Sequence, residues 1–182
     1  MVRRYRKYRK YNKIVKPVKY SNETYSFVAN ITNSTANTYG FSINEIVPAP
    51  ANVLGTRKVK NITLNILVEE TLRRTTVEGQ TVETFDRARI AWALIFLPEG
   101  IVPSTLNFGL QGAPVSMYEP NQNVIATGVC DSNQAYRFKT RLSRNLNAGD
   151  TIIFVMRDLE YPANGETIVT LAAVTANYAI TF

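Results

Sequence analysis

Apolar residues recur at every second position along most of this chain, and no stretch carries them at the 3.6-residue period of a helix. In Asn61 to Glu69, Ile62, Leu64, Ile66 and Val68 share a face opposite Thr63, Asn65 and Glu69. In Arg87 to Leu97, Ile90, Trp92, Leu94 and Phe96 do the same. Residues 135–142 set Tyr136, Phe138, Thr140 and Leu142 against Arg137, Lys139 and Arg141. Ile152 to Val155 is a short apolar run suited to burial on both faces, and Ile168 to Phe182 is a long stretch rich in Thr, Ala and Val. Such β-branched and aromatic segments predict strands. Tyr25–Ile31, Tyr39–Val47 and Val124–Cys130 are weaker candidates that bring the count to eight or nine.

Turn formers separate them: Asn33-Ser34, Pro48-Ala49-Pro50, Glu78-Gly79, Pro98-Glu99-Gly100, Asn147-Ala148-Gly149-Asp150 and Asn164-Gly165. Segments 48–56, 98–122 and 159–167 read as long inter-strand loops. Without βαβ alternation, the expectation is an all-β chain, an eight-stranded antiparallel β-sandwich of the jelly-roll kind. Residues 21–182 form that body and residues 1–20 a separate basic arm.

The arm stands out by charge. Residues 1–20 hold nine Lys or Arg and no acid, whereas the other 162 hold 12 basic and 14 acidic side chains. The chain is thus a nearly neutral body carrying a polycation, an asymmetry that points to a polyanionic partner. Arg3, Arg4, Arg6, Lys7, Arg9, Lys10, Lys13, Lys16 and Lys19 interleave with Tyr5, Tyr8 and Tyr11. Cations neutralise phosphates and release counterions, while tyrosine rings offer stacking surfaces to unpaired bases. So charged a segment holds no fold of its own and is expected to be disordered, and Pro17 discourages a helix through its end. These twelve residues are the candidate nucleic-acid-binding set; a nuclear localisation signal coexists with that role, and a solubility tail is the plainer alternative.

Composition narrows the chemistry. The chain has no histidine, which excludes Ser-His-Asp and Cys-His catalysis and His-ligated metals within it. One cysteine, Cys130, excludes an internal disulfide; with no histidine to activate it, it reads as a small buried hydrophobe. No phosphate-binding glycine loop is present, so no catalytic residue and no cofactor is expected. Asp158 and Glu160 suit either a cation such as Ca²⁺ or a solvated loop, and no metal site is assigned to them. Arg137, Lys139 and Arg141, with Arg144 just beyond, put three or four cations on one strand face. That suits a phosphate-binding surface, contact with acidic residues of a neighbouring subunit, or an ordinary solvated face; the same readings apply to Arg57, Lys58, Lys60, Arg73 and Arg74. Ile14 and Val15 are followed by Lys16 and Pro17, which leaves no apolar stretch for a secretory signal, and the run Ile90 to Leu97 is far short of the roughly 20 residues of a membrane helix. The Asn-x-Ser/Thr sites at Asn22, Asn30, Asn33 and Asn61 are then expected to be unglycosylated, in a soluble protein of a reducing compartment with no membrane partner.

The sequence Met1-Val-Arg-Arg-Tyr-Arg-Lys-Tyr-Arg-Lys10 resembles the arginine-rich arm of capsid proteins from small circular single-stranded DNA viruses, the circovirus-like group. Gly40-Phe41-Ser42-Ile43 followed by Arg57-Lys58-Val59-Lys60 looks like the first two strands of that capsid jelly roll. Trp92 to Pro98, and Arg137 to Arg141 through Leu146 to Asp150, are similar to later strands and the turn between them. The resemblance implies a non-enzymatic shell protein of about 60 copies in a T=1 icosahedral virion, its arm inside on a single-stranded DNA genome, assembling in the host nucleus. Satellite RNA virus coats share this size, arm and fold, so RNA stays open as the cargo. A ribosomal or other RNA-binding β-domain with a basic tail is the alternative reading.

Overall fold

The computed structural model describes residues 20–34, 40–49, 55–101, 123–160 and 162–181. The arm residues Arg3 to Lys19, the loop segments 50–54 and 102–122, and residues 35–39 lie outside them. Every regular element among the described residues is a strand: β1 (Ser21–Asn33), β2 (Phe41–Val47), β3 (Arg57–Val68), β4 (Thr71–Val77), β5 (Gln80–Asp86), β6 (Arg89–Leu97), β7 (Asn123–Asp131), β8 (Ala135–Lys139), β9 (Ser143–Leu146), β10 (Thr151–Asp158) and β11 (Glu166–Thr181).

All pairings are antiparallel, and they nest. β1 pairs with β11, β2 with β10, β3 with β8 and β9, and β6 with β7, so the chain is one long folded hairpin. Rolled up, its two arms close on themselves through β11–β3 and β10–β6. The result is two sheets: sheet A, in which β11 lies between β1 on one edge and β3 and β4 on the other, and sheet B, ordered β2-β10-β6-β7. First strand beside last and second beside the last but one, on two packed sheets, is the jelly roll that the periodicity predicts. Its eight strands are β1, β2, β3, β6, β7, the broken pair β8/β9, β10 and β11.

Three details correct the sequence reading. The segments at 40–43 and 57–60 belong to the second and third strands, because β1 precedes them. Residues 135–142 are not one strand: Thr140 turns inward, gives its amide to the Ile62 carbonyl at 2.9 Å, and accepts the Leu142 amide on its hydroxyl at 3.0 Å. The hairpin β4–β5 was not expected. Its turn is Glu78-Gly79, both residues at positive φ (49° and 80°), the conformation that matches a two-residue hairpin to strand twist. Every residue of β5 is exposed, so it carries no apolar alternation to read.

The core lies between the sheets. Trp92 is fully buried, with Tyr136, Phe138 and Phe154 ring centroids at 5.8, 5.4 and 6.0 Å. Gly128 admits the indole, since a Cβ there would stand 2.7 Å from it. β6 and β10 are buried on both faces: Ala93, Ile95, Ile153 and Val155, on the far face of sheet B, are 0% exposed. The expectation for Ile152 to Val155 holds and extends to β6.

Candidate nucleic-acid interface

The twelve arm residues proposed from sequence lie outside the described residues; the body surface nearest them in sequence begins at Tyr20. The described chain starts at Tyr20 and enters β1 at Ser21, which pairs with Ile180 at the end of β11. Tyr20 lies under Lys60, whose Nζ is 3.5 Å from the ring centroid, a cation–π contact.

Lys60 owes its position to a bulge. The β11–β3 register slips between Asn177 and Ala179, and Asn61 takes a left-handed φ of 56°. One extra residue lets Val59 and Ile62 both face inward, where each is buried, although three positions separate them. Lys58 and Lys60 before the bulge, and Thr63, Asn65 and Leu67 after it, therefore share the outer face of sheet A. Asparagine suits the position because its short polar side chain tolerates left-handed backbone.

Neighbouring strands complete that face by register. Thr63 stands opposite Lys139 and Asn65 opposite Arg137, so those two exposed cations stand on the outer face of β8 while Tyr136 and Phe138 pack inward. Lys60 stands opposite Ser143 and Lys58 opposite Asn145. Lys58, Lys60, Lys139 and Arg137 thus run along one edge of the outer face, spanning about 20 Å at the rise of a strand. The outer positions beside them on β11 and β1 are Ala179, Asn177, Thr175 and Ala173, then Asn22, Thr24, Ser26 and Val28. None of these is acidic; acids on this side begin past β3, at Glu69 and Glu70.

The other candidate cations are occupied elsewhere. Arg57 is buried, donating to the carbonyls of Pro48 at 2.9 Å and Asp150 at 3.1 Å, and burial lowers its pKa. Arg144 turns inward on β9 over the Phe96 ring at 5.3 Å. Arg141 is exposed in the connection after β8 and not on the strand face. Arg73 pairs with Asp86 at 3.0 Å, Glu166 at 2.7 Å and Glu160 at 3.3 Å, and Arg74 pairs with Glu83 at 2.8 Å. The ladder read from sequence as four cations is thus two on β8, joined by two from β3 that adjacency in sequence does not connect to it.

Asp158 and Glu160 do come together, but as hydrogen-bonded groups. Asp158 is fully buried, its Oδ1 accepting the Glu160 amide at 2.9 Å and its Oδ2 the Thr170 hydroxyl at 2.6 Å. Burial raises its pKa; burial and then the Asp158 charge raise that of Glu160. With those oxygens held by donors, Asp158 lacks the open carboxylate that a hard cation takes. Cys130 is buried and its thiol is pushed up to about 11 by burial, so it stays protonated at neutral pH and serves packing.

No protein-family model matches the sequence, and no curated protein matches it. Among solved structures, the VP1 pentamer of human polyomavirus 7 is similar at a TM-score of 0.31 and 8% identity, covering 88% of this chain and 96% of that one. A likeness at that score carries no conclusion about function. The chain is an all-β jelly roll on the strength of its own strand pairing.

Proposed function

We propose that this chain is a structural, non-enzymatic capsid protein: residues 21–182 build the shell and residues 1–20 hold a single-stranded nucleic acid inside it. One observation carries the reading. A +9 arm joins a jelly-roll body beside Lys60, on an outer face that Lys60 shares with Lys58, Lys139 and Arg137 and on which, among the described residues, no acid stands beside them. The rest of the body is near neutral, so copies can pack without strong self-repulsion while their arms are neutralised by a polyanion. About 60 copies in a T=1 shell would collect several hundred positive charges, making assembly and cargo binding linked equilibria. The cargo is single-stranded DNA, with RNA as the other outcome; the protein resides in the virion, and the host nucleus is where it assembles.

Negative-stain electron microscopy of the purified full-length chain tests the shell. Uniform spheres are expected; a field of small particles, unchanged when nucleic acid is added, would overturn it in favour of an RNA-binding β-domain with a basic tail. For the arm, nine phosphate contacts to a single strand give a slope of log K against log[salt] near −6 as an upper bound. A slope near zero would remove the electrostatic account. Changing Tyr5, Tyr8 and Tyr11 together to Ser should weaken single-strand binding with little change of slope, because stacking is not ionic.

A further inference from the structure

The outer face of sheet A carries a pattern that the arm does not explain. Val28, Ala173, Leu67 and Ala135 stand opposite one another across four strands, an apolar row. Val28 is 66% and Leu67 48% exposed, although both are large aliphatic side chains. The next row along the strands is Ser26, Thr175, Asn65 and Arg137, and the one beyond it Thr24, Asn177, Thr63 and Lys139. Where the first two rows meet, the small side chains leave a shallow, open depression of about 350 Å³, bordered by Leu67, Ala173, Ala135, Asn65, Thr175 and Arg137.

The chemistry therefore changes in steps of two residues, about 7 Å each. It runs from apolar, through hydroxyl and amide, to cation. That is also the order met in an unpaired nucleotide from the flat face of its base, through the polar edge and sugar, to the phosphate. Resting on the packaging reading above, we propose that this depression is a second, arm-independent contact for single-stranded nucleic acid. A base lies on the Ala173 and Ala135 floor against Leu67, its polar edge meets Asn65 and Thr175, and its phosphate meets Arg137 and then Lys139. Charge complementarity selects this occupant, since among the described residues the flanking cations have no acid beside them on the face, and Tyr20, where the described chain begins, lies under Lys60 on that same face. The bases must be unpaired, because a flat sheet face reaches the face of a base only when it is unstacked.

The test is photocrosslinking of the full-length chain to oligo(dT) substituted with 5-iododeoxyuridine, with crosslinked peptides identified by mass spectrometry, alongside affinity and salt slope. Crosslinks are expected in β3, β8 and β11 around residues 65–67, 135–137 and 173–175, in addition to the arm. Arg137→Ala is expected to weaken binding roughly fivefold, as for an exposed charge contact, and to reduce the salt slope by about 0.7. Ala173→Asp should abolish the β11 crosslinks while the thermal unfolding transition stays in place, since the site is exposed. Crosslinks confined to residues 1–20, with affinity unmoved by either variant, would overturn this inference and leave the packaging reading standing. No binding by the full-length chain would overturn both. If Ala173→Asp blocks particle formation while oligo(dT) affinity is unchanged, the face is a contact between copies and the inference fails.

Discussion

The two sheets use their outer faces in opposite ways. On sheet A the faces of β3 and β11 differ: Leu64, Ile66, Val174 and Ala176 point into the core, while Asn65, Leu67, Ala173 and Thr175 point away from it. On sheet B, β6 and β10 are buried on both faces, and Ile43, Ile101 and Val124 pack around Ala93, Ile95 and Ile153. The sequence carries this contrast as strict alternation in β3 of sheet A and as unbroken apolar runs in β6 and β10 of sheet B. A strand with one wet face is available to bind something; one buried on both faces is committed to stability.

Matched truncations on the two outer faces separate a binding surface from a second core. Ile153→Ala, on the far face of sheet B, should cost about 2–5 kcal/mol, the range for a buried aliphatic side chain. Urea unfolding measures it, and a cost under 1 kcal/mol would show that this face is not a true core. Gly128→Ala comes next, because the new methyl would meet the Trp92 ring at 2.7 Å. Overpacking of that kind costs about 1–3 kcal/mol, and an unchanged melting temperature would mean that the indole moves freely aside.

Asp158→Asn should act through pH. Burial raises the Asp158 pKa above its unfolded value, so the protonated group stabilises the fold below about pH 4 and that contribution is lost as pH rises through the folded value. The variant is neutral throughout. Its stability relative to the parent should therefore improve between acid and neutral pH, read from urea unfolding at three pH values. A difference that stays flat with pH would show the carboxyl to be ionised at no net cost. Thr170 is placed to adapt, since its hydroxyl lies within 2.9 Å of Thr71 as well as 2.6 Å from Asp158. Smallest of all, Leu67→Ala on sheet A should change stability by no more than about 0.5 kcal/mol. A cost like that of Ile153→Ala would erase the distinction between the two faces.

The alternation of Ile62 to Val68 made a strand and its inward face legible, because a strand's side chains alternate whatever it pairs with. The continuous apolar run from Ile90 marked a strand but not which face it turns to the core. The hairpin β4–β5 was not legible: its two strands, TLRRTTV and QTVETFD, have no apolar face to alternate, and only the Glu78-Gly79 turn marked it. The basic edge was half legible. Arg137 and Lys139 announce themselves two apart, but Lys58 and Lys60 reach the same face only through pairing with β8 and β9 and through the bulge at Asn61. Arg57, adjacent to Lys58 in sequence, is buried and donates to the carbonyls of Pro48 and Asp150.

Composition and local pattern alone point to an all-β chain that lacks histidine chemistry and carries its net positive charge in the first 20 residues, because each is a property of single residues or near neighbours. The folded arrangement set which of the described cations stand exposed and which are tied to Asp86, Glu83 or the Pro48 carbonyl. It also decided that Val28, Ala173, Leu67 and Ala135 form one row. The pairs of Arg73 and Arg74 with Asp86 and Glu83 need the β4–β5 hairpin to close. The row needs register between strands far apart in sequence, which is set by how all the strands close around one core.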